Sequence, residues 1–213
     1  MMLIHRYVDY GYRSADGTCA HGYLLPVIRR MLEDFPHEGV RALDLGCGNG
    51  SLTAQWARPG WKVCAVDLAE SGVKIGKEAH PNIEFCQGDV TGDLTAMFGP
   101  EMFDMVVSAE VIEHLYFPRA LVRNAYRLLK PGGLFVLTTP YHGYLKNVAL
   151  ALTGKLDAHF TALWDGGHIK FWSRKTLTEV LEEAGFVVEA FAGAGRVPWL
   201  WKSMVFRCRK PAR

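Results

Sequence analysis

No apolar run in this chain approaches the ~20 residues needed to cross a bilayer. The first residues, Met1-Met2-Leu3-Ile4-His5-Arg6, hold too short an apolar stretch for a secretory signal. Cysteine is sparse and odd in number, at 19, 47, 64, 86 and 208, with no Cys-x-x-Cys pair. That spacing argues against a structural zinc site. Cys47, Cys64 and Cys86 fall in or beside apolar runs, so reduced thiols in a cytoplasmic protein are expected. Neither sign of charge is in excess. The formal net charge is +2, which gives no general reason to expect a nucleic-acid partner. Repeats, low-complexity tracts and a domain-sized linker are also missing. The one local imbalance is C-terminal, where Arg196, Lys202, Arg207, Arg209, Lys210 and Arg213 meet no acid. Short runs of this kind are usually the solvated face of a strand and a loose tail.

What is present is enough apolar residue, 49% of 213, for one α/β domain with extras. His21 to Asp34 reads as a helix, with apolar positions at 24, 25, 28, 31 and 32. Strands over 40–45, 62–67, 82–86, 103–109 and 133–139 alternate with helices over 50–58, 70–79 and 117–129. Such alternation predicts a parallel sheet with helices on both faces. Residues 174–184 form a periodic helix stopped by Gly185. Phe186 to Phe191 and Lys202 to Cys208 are the last two strands. Pro140 to Trp172 breaks the pattern. It is long for a βα connection, and loops of that length tend to be functional or disordered. Tyr141, His142, Tyr144, His159, Phe160, Trp164, His168 and Trp172 make it too aromatic for disorder.

The most informative stretch is Val40-Arg41-Ala42-Leu43-Asp44-Leu45-Gly46-Cys47-Gly48-Asn49-Gly50. An apolar strand runs into a glycine turn and then a helix. Glycine there reaches φ > 0 and carries no Cβ to block a ligand. The third glycine of Gly-x-Gly-x-x-Gly is missing, since Ser51 and Leu52 follow Gly50, which speaks against a dinucleotide dehydrogenase. About 20 residues on, the second strand ends in Asp67, an offset suited to ribose hydroxyls. The third leads to Gly88-Asp89-Val90, and Phe103-Asp104-Met105-Val106-Val107-Ser108 leads to Ala109-Glu110.

With Leu128-Leu129-Lys130-Pro131-Gly132-Gly133, these segments resemble the class I S-adenosylmethionine-dependent methyltransferases, over about residues 40–140. The resemblance implies a Rossmann-like, doubly wound, mostly parallel seven-stranded sheet, one antiparallel strand lying in an edge hairpin. The chain itself reads as a single domain, 1–213, with an N-terminal lid and helix (1–35), a cofactor-binding core (40–140), an acceptor cap (141–172) with a short helix near 145–153, and a last helix with two strands (173–213). The resemblance implies S-adenosylmethionine as methyl donor. Asp44 would precede the turn, Gly46, Gly48 and Asn49 would flank the methionine portion, and Asp67 would hold the ribose. Leu68, Asp89 and Val90 would meet the adenine, and the Ser108–Ala109 backbone would lie under the sulfonium. Helix capping is the alternative for Asp67 and Asp89 taken singly.

Glu110-Val111-Ile112-Glu113-His114 follows strand four. In a helix, positions i, i+3 and i+4 share one face. The run resembles ubiquinone-pathway O-methyltransferases and small-RNA 2′-O-methyltransferases. The latter carry a later histidine before a Lys-Phe pair, and Gly167-His168-Ile169-Lys170-Phe171 is similar. Three readings stay open. Glu110, Glu113, His114 and His168 bind magnesium, manganese or zinc. His114 acts as general base oriented by Glu113. Or the pair only shapes the pocket. The expected acceptor is a small, aromatic or lipophilic molecule methylated on oxygen, with Asp157, Asp165 and Lys170 as polar anchors. RNA 2′-O-methylation, nitrogen or carbon methylation, and an inactive cofactor-binding subunit are the rivals. His142 and His159 are expected to be packed or solvated. Tyr7, Tyr10 and Tyr12 are expected to form a lid or to pack on the domain. An ordinary buried face is expected for Val148–Leu152, rather than a membrane contact. Monomer and homodimer are equally compatible with the chain.

Overall fold

A computed structural model describes residues 9–160 and 162–212. Tyr7 and Arg213 lie outside the described residues. Seven strands form one sheet: β1 (Arg41–Leu45), β2 (Lys62–Asp67), β3 (Ile83–Gln87), β4 (Phe103–Ala109), β5 (Leu129–Pro140), β6 (Val187–Ala194) and β7 (Ser203–Arg209). Their order is β3-β2-β1-β4-β5-β7-β6. β1 to β5 pair in parallel, and β7 is antiparallel to both β5 and β6.

The alternation of each strand sorts its side chains into two cores. Leu43, Leu45, Val106, Phe135, Leu137 and Phe206 face one side of the sheet. There they meet α5 (Pro118–Leu128) and α8 (Arg174–Glu183). Ala42, Met105, Val107, Val136 and Val205 face the other side, against α1 (His21–Met31) and α2 (Ser51–Trp56). α3 (Glu70–Ala79) covers the β2–β3 end through Val73, Ala65 and Phe85. The chain moves outward from β1 to β3, then returns for β4 on the other side of β1. That reversal opens a crevice at the carboxyl ends of β1 and β4, where ligands of such sheets bind.

Several details depart from the sequence expectations. A five-residue helix, α4 (Leu94–Phe98), was not foreseen. Asp93 starts it by accepting from the Thr95 N–H at 3.1 Å. β5 begins at Leu129 instead of 133, with a register shift against β4 between Phe103 and Met105. The C-terminal basic run is only partly solvated: Arg196 and Lys202 are exposed, but Arg207 and Lys210 are not. Arg207 is buried between Asp34 (2.5 Å) and Glu189 (2.9 Å), and donates to the Met31 carbonyl at 2.6 Å. Buried Lys210 donates to Glu101 and to the Tyr126 and Leu129 carbonyls. Partners drawn from distant segments let both charges leave water.

After β5 come two helices, α6 (Tyr144–Leu152) and α7 (Leu156–Phe160). The apolar face expected for 148–152 is only half-buried: Val148, Ala149 and Leu150 are partly covered, and Ala151 and Leu152 are exposed. Leu152 is 83% exposed, and the one buried side chain of the helix is Lys146. No helix among the described residues is long and apolar enough to cross a membrane.

Candidate active site

The glycine turn sits where β1 delivers it. Gly46, Gly48 and Gly50 have φ of +84°, +55° and +74°. A Cβ on Gly46 would run into the Val111 side chain, and one on Gly48 into the Tyr12 hydroxyl. The N-terminal segment therefore lies directly on the turn. Asn49 donates through Nδ2 to the Ser14 carbonyl (2.9 Å) and the Asp16 carbonyl (3.0 Å). Asp9 accepts from the backbone and hydroxyl of Ser71 at the start of α3. Tyr10 bridges outward, with its ring 5.1 Å from Tyr12 and 6.2 Å from Trp164.

The acids of the crevice differ in what holds them. Asp44 is buried and accepts from Thr53 Oγ1 at 2.5 Å, but its Oδ1 has no partner. Burial pushes its carboxyl up to about 7. Asp67 ends β2 and accepts from the N–H groups of Gly48 (2.7 Å) and Ala69 (2.8 Å). Burial raises it as well, against those two hydrogen bonds. Asp89 is exposed, and its Oδ1 accepts from the Thr91 N–H and hydroxyl, both at 2.7 Å. Local turn bonding is thus present at Asp67 and Asp89. Leu68 is half-buried, Val90 is buried, and Ala109 closes β4 beside Ser108, whose hydroxyl donates to the Leu45 carbonyl.

Beyond β4 the expected shared helical face does not form. Glu110 has φ of +55°, and only a single 3-10 turn, Ile112–His114, follows. The Glu110 N–H donates to the backbone oxygen and hydroxyl of Thr138, and its carboxylate accepts from Thr138 Oγ1 (2.8 Å) and Ser203 Oγ (2.9 Å). Glu110 is thus turned toward β5 and β7 and stands outside the cluster proposed from sequence. The cluster that does assemble is Glu113, His114 and His168, whose ligating atoms lie within 4.8 Å of one another.

Glu113 is fully buried. Its Oε2 accepts from Thr139 Oγ1 at 3.0 Å, and its Oε1 has no partner. Desolvation, with Glu110 nearby, holds its carboxyl well above the usual range. Nε2 of His114 and of His168 stand 3.9 and 4.0 Å from that Oε1. His114 Nδ1 faces the Gly166 and Gly167 carbonyls at 2.9 and 3.2 Å. A carbonyl only accepts, so the Nδ1 carries the proton and Nε2 keeps a lone pair toward Glu113. Burial lowers both imidazoles, His168 to about 4. The Ile169 and Lys170 N–H groups both donate to the Glu113 carbonyl, which ties the 166–170 segment to the turn.

Residues 18–190 match the family model described as a methyltransferase domain. The chain belongs to that family. Among curated relatives, it is 37% identical over 131 residues to a ubiquinone biosynthesis O-methyltransferase of Caulobacter sp. strain K31, covering 61% of this chain and 50% of that protein. It is 30% identical over 203 residues to the same-named protein of Methylobacterium sp. strain 4-46, covering 91% of this chain and 76% of that one. The matched region thus spans about half the length of the Caulobacter relative. A solved S-adenosylmethionine-dependent methyltransferase of Methanosarcina mazei shares the fold at a TM-score of 0.67 and 19% identity, over 86% of this chain and 98% of that one. The methyl donor of this class I methyltransferase domain is S-adenosylmethionine. The donor chemistry fits the crevice: its ammonium and ribose hydroxyls are hydrogen-bond donors, and the acids Asp44 and Asp67 stand at the carboxyl ends of β1 and β2.

Thr138, Thr139 and Lys146 were missed from sequence. The threonine pair at the end of β5 is the readable signal, because adjacent polar residues interrupt an otherwise apolar strand.

Proposed function

We propose that this protein transfers the S-adenosylmethionine methyl group to a hydroxyl of a small aromatic or lipophilic acceptor. Segment 141–172 serves as the acceptor's cap, and Glu113, His114 and His168 hold a divalent cation beside the hydroxyl. One observation carries the reading: the orphaned, fully buried Glu113 Oε1, flanked by two imidazole Nε2 atoms. One carboxylate oxygen and two imidazoles suit zinc or manganese better than magnesium, which favours an all-oxygen shell. When bound, the sulfonium supplies the methyl and the cation supplies Lewis acidity toward the acceptor oxygen. Asp44 and Asp67 orient the donor, and the Tyr10–Tyr12–Trp164 aromatics exclude water. The names of the curated relatives favour oxygen over nitrogen or carbon. The near-neutral charge favours a small acceptor over RNA. All five cysteines are free, in keeping with a cytoplasmic setting.

A second reading has its own support. With Nδ1–H pinned on two carbonyls and its pKa lowered by burial, His114 presents a basic Nε2 at neutral pH. It then takes the hydroxyl proton itself, without metal. Titrating zinc, manganese and magnesium into protein saturated with S-adenosylhomocysteine separates the two. Binding of one ion per chain, lost in Glu113→Gln, is the expected result. Methylation of catechol by chelator-treated protein that binds no ion would transfer the role to His114.

A further inference from the structure

One side chain of α5 breaks the pattern around it. Leu121, Ala125 and Leu128 are fully buried on the core face of the helix. Asn124 shares that face, three residues after Leu121 and four before Leu128, and is 4% exposed. Asparagine is a poor helix former, and a buried amide is costly unless it is hydrogen-bonded. An apolar side chain would serve the helix and the core better. The amide is nevertheless fully engaged. Its Nδ2 donates to the Val90 carbonyl at 2.9 Å and to the Gly92 carbonyl at 2.7 Å.

Both carbonyls belong to the turn that follows β3, Gly88 to Gly92. Its other bonds are local or lie at its near end. The Gly88 N–H donates to the Asp67 carbonyl at 2.9 Å. Asp89 closes the turn on itself: its Oδ1 accepts from the Thr91 N–H at 2.7 Å, and its carbonyl from the Gly92 N–H at 3.0 Å. The far end is fixed from 32 and 34 residues away in sequence, by the two hydrogens of one amide. The buried Val90 side chain packs into the core that α5 shares. At its surface the same helix reaches α4, where Arg127 Nη2 donates to Thr95 Oγ1 at 2.8 Å.

We propose that Asn124 is a positioning residue for the methyl donor: by clamping the Val90 and Gly92 carbonyls it holds the 88–92 turn in its adenine-reading shape before the donor arrives. The inference rests on reading Asp89 and Val90 as the residues that meet the adenine. Asn124 acts through the turn. A site that is competent only part of the time binds with an affinity reduced by that fraction, and a turn already clamped is spared the loss. Without the clamp the two carbonyls lose their donors and turn toward water. Asp89 Oδ2 and the Val90 side chain then no longer stand in one place.

The test reads binding and needs no acceptor. Asn124→Leu keeps the volume and the helix and removes both donors. S-adenosylhomocysteine and S-inosylhomocysteine, whose base offers a carbonyl in place of the amino group, are titrated by calorimetry into the wild type and the folded variant. The wild type should prefer S-adenosylhomocysteine. The variant should bind it roughly ten-fold more weakly, with the preference gone. A fold that is merely weakened moves both affinities together and leaves their ratio alone. A preference kept in folded Asn124→Leu therefore overturns the proposal and leaves the adenine reading standing. A wild type without any preference overturns the adenine reading, and the proposal with it. Arg127→Ala cuts the surface contact between α5 and α4 and should leave both affinities within about two-fold. An equal loss there would assign the effect to the packing of α5 at large and overturn the clamp. Hydrogen exchange of the wild type covers the case in which Asn124→Leu does not fold. Residues 88–92 should already be protected without ligand. Fast exchange there that slows only with S-adenosylhomocysteine would mean that the donor orders the turn, and would overturn the proposal.

Discussion

The donor side and the acceptor side of this crevice are built from different material. On the donor side, Asp67 and Asp89 are held by N–H groups within their own turn or an adjoining one, and the glycines act through backbone shape. On the side we propose for the acceptor, Glu113 and His114 of the turn after β4 meet His168 of the segment after α7. More of the polar atoms without partners lie there: Glu113 Oε1, both nitrogens of His142 and Nε2 of His159. On the donor side Asp44 Oδ1, with Trp56 Nε1 of α2 and His80 Nε2 after α3, shares that condition among the described residues. The donor half is a scaffold already at rest. The half we propose for the acceptor keeps buried polar groups in a costly state.

The sharpest way to break this contrast is Glu113→Gln. If the orphaned oxygen carries function, kcat/KM falls by about 10²–10⁴, the range of a lost acid–base or metal-activating group. The metal-free variant should at the same time be more stable than the wild type at pH 8. A buried carboxyl raised above its unfolded value favours folding fully below the unfolded pKa. That contribution is lost as pH rises through the folded pKa. Gln removes the ionisation but keeps the acceptor for Thr139 Oγ1. Thermal melts at pH 5 and pH 8 check it, and a Gln variant less stable at pH 8 than the wild type would count against the buried, unpaired carboxyl.

Asp44→Asn probes the donor-side acid that behaves like the acceptor side. Its carboxyl is pushed up to about 7 by burial, so its share of ligand-free stability declines between about pH 4 and about pH 7. The Asn variant should melt higher at pH 8 and bind S-adenosylhomocysteine roughly ten- to a hundred-fold more weakly, the loss of a charged hydrogen bond to ammonium. Calorimetry and melts on the same sample test both halves. Weakened binding without a stability gain would place the effect in the turn's geometry.

His168→Ala should lower cation affinity by roughly ten- to a hundred-fold, the scale of disturbing a metal's immediate surroundings, and leave S-adenosylhomocysteine binding within two-fold. Unchanged metal affinity would remove His168 from the cluster and return the 166–170 segment to a purely packing role.

The donor half was also the half legible in sequence, for the same physical reason. Strand, glycine turn and terminal acid lie within one short window, so β1 to β4 and α3 follow from period and turn chemistry alone. α4 escaped because five residues hold less than two turns of periodicity. Glu110 was assigned to the metal cluster because a helix was assumed to open at 110. The Thr138 backbone and hydroxyl instead hold it at φ +55° and turn its carboxylate to Ser203. Arg207 and Lys210 looked solvated because Asp34, Glu189 and Glu101 are remote in sequence. Lys146 stands just before the apolar run 148–152 and draws no attention there, yet it is buried while Leu145 and Leu152 are exposed. His168 was found, but through a resemblance and not through spacing.

The finest cut between the two halves is Asp89→Ala. Oδ1 of Asp89 already serves the Thr91 N–H and hydroxyl, and Oδ2 is the oxygen left for an adenine amino group. As a turn residue alone, Asp89 contributes about 1 kcal/mol of stability and nothing to affinity. As an adenine reader as well, it adds one hydrogen bond, about 1 kcal/mol or roughly five-fold in affinity. The expected result is the sum: a small drop in melting temperature, and a roughly five-fold loss for S-adenosylhomocysteine. S-inosylhomocysteine, in which a carbonyl replaces the amino group, provides the control. Its affinity should start lower in the wild type and change little in the variant, because the donor that Oδ2 would read is already gone. Equal losses for both compounds would mean that Asp89 acts through the shape of its turn. The donor half would then be the wholly backbone-built scaffold that the comparison describes.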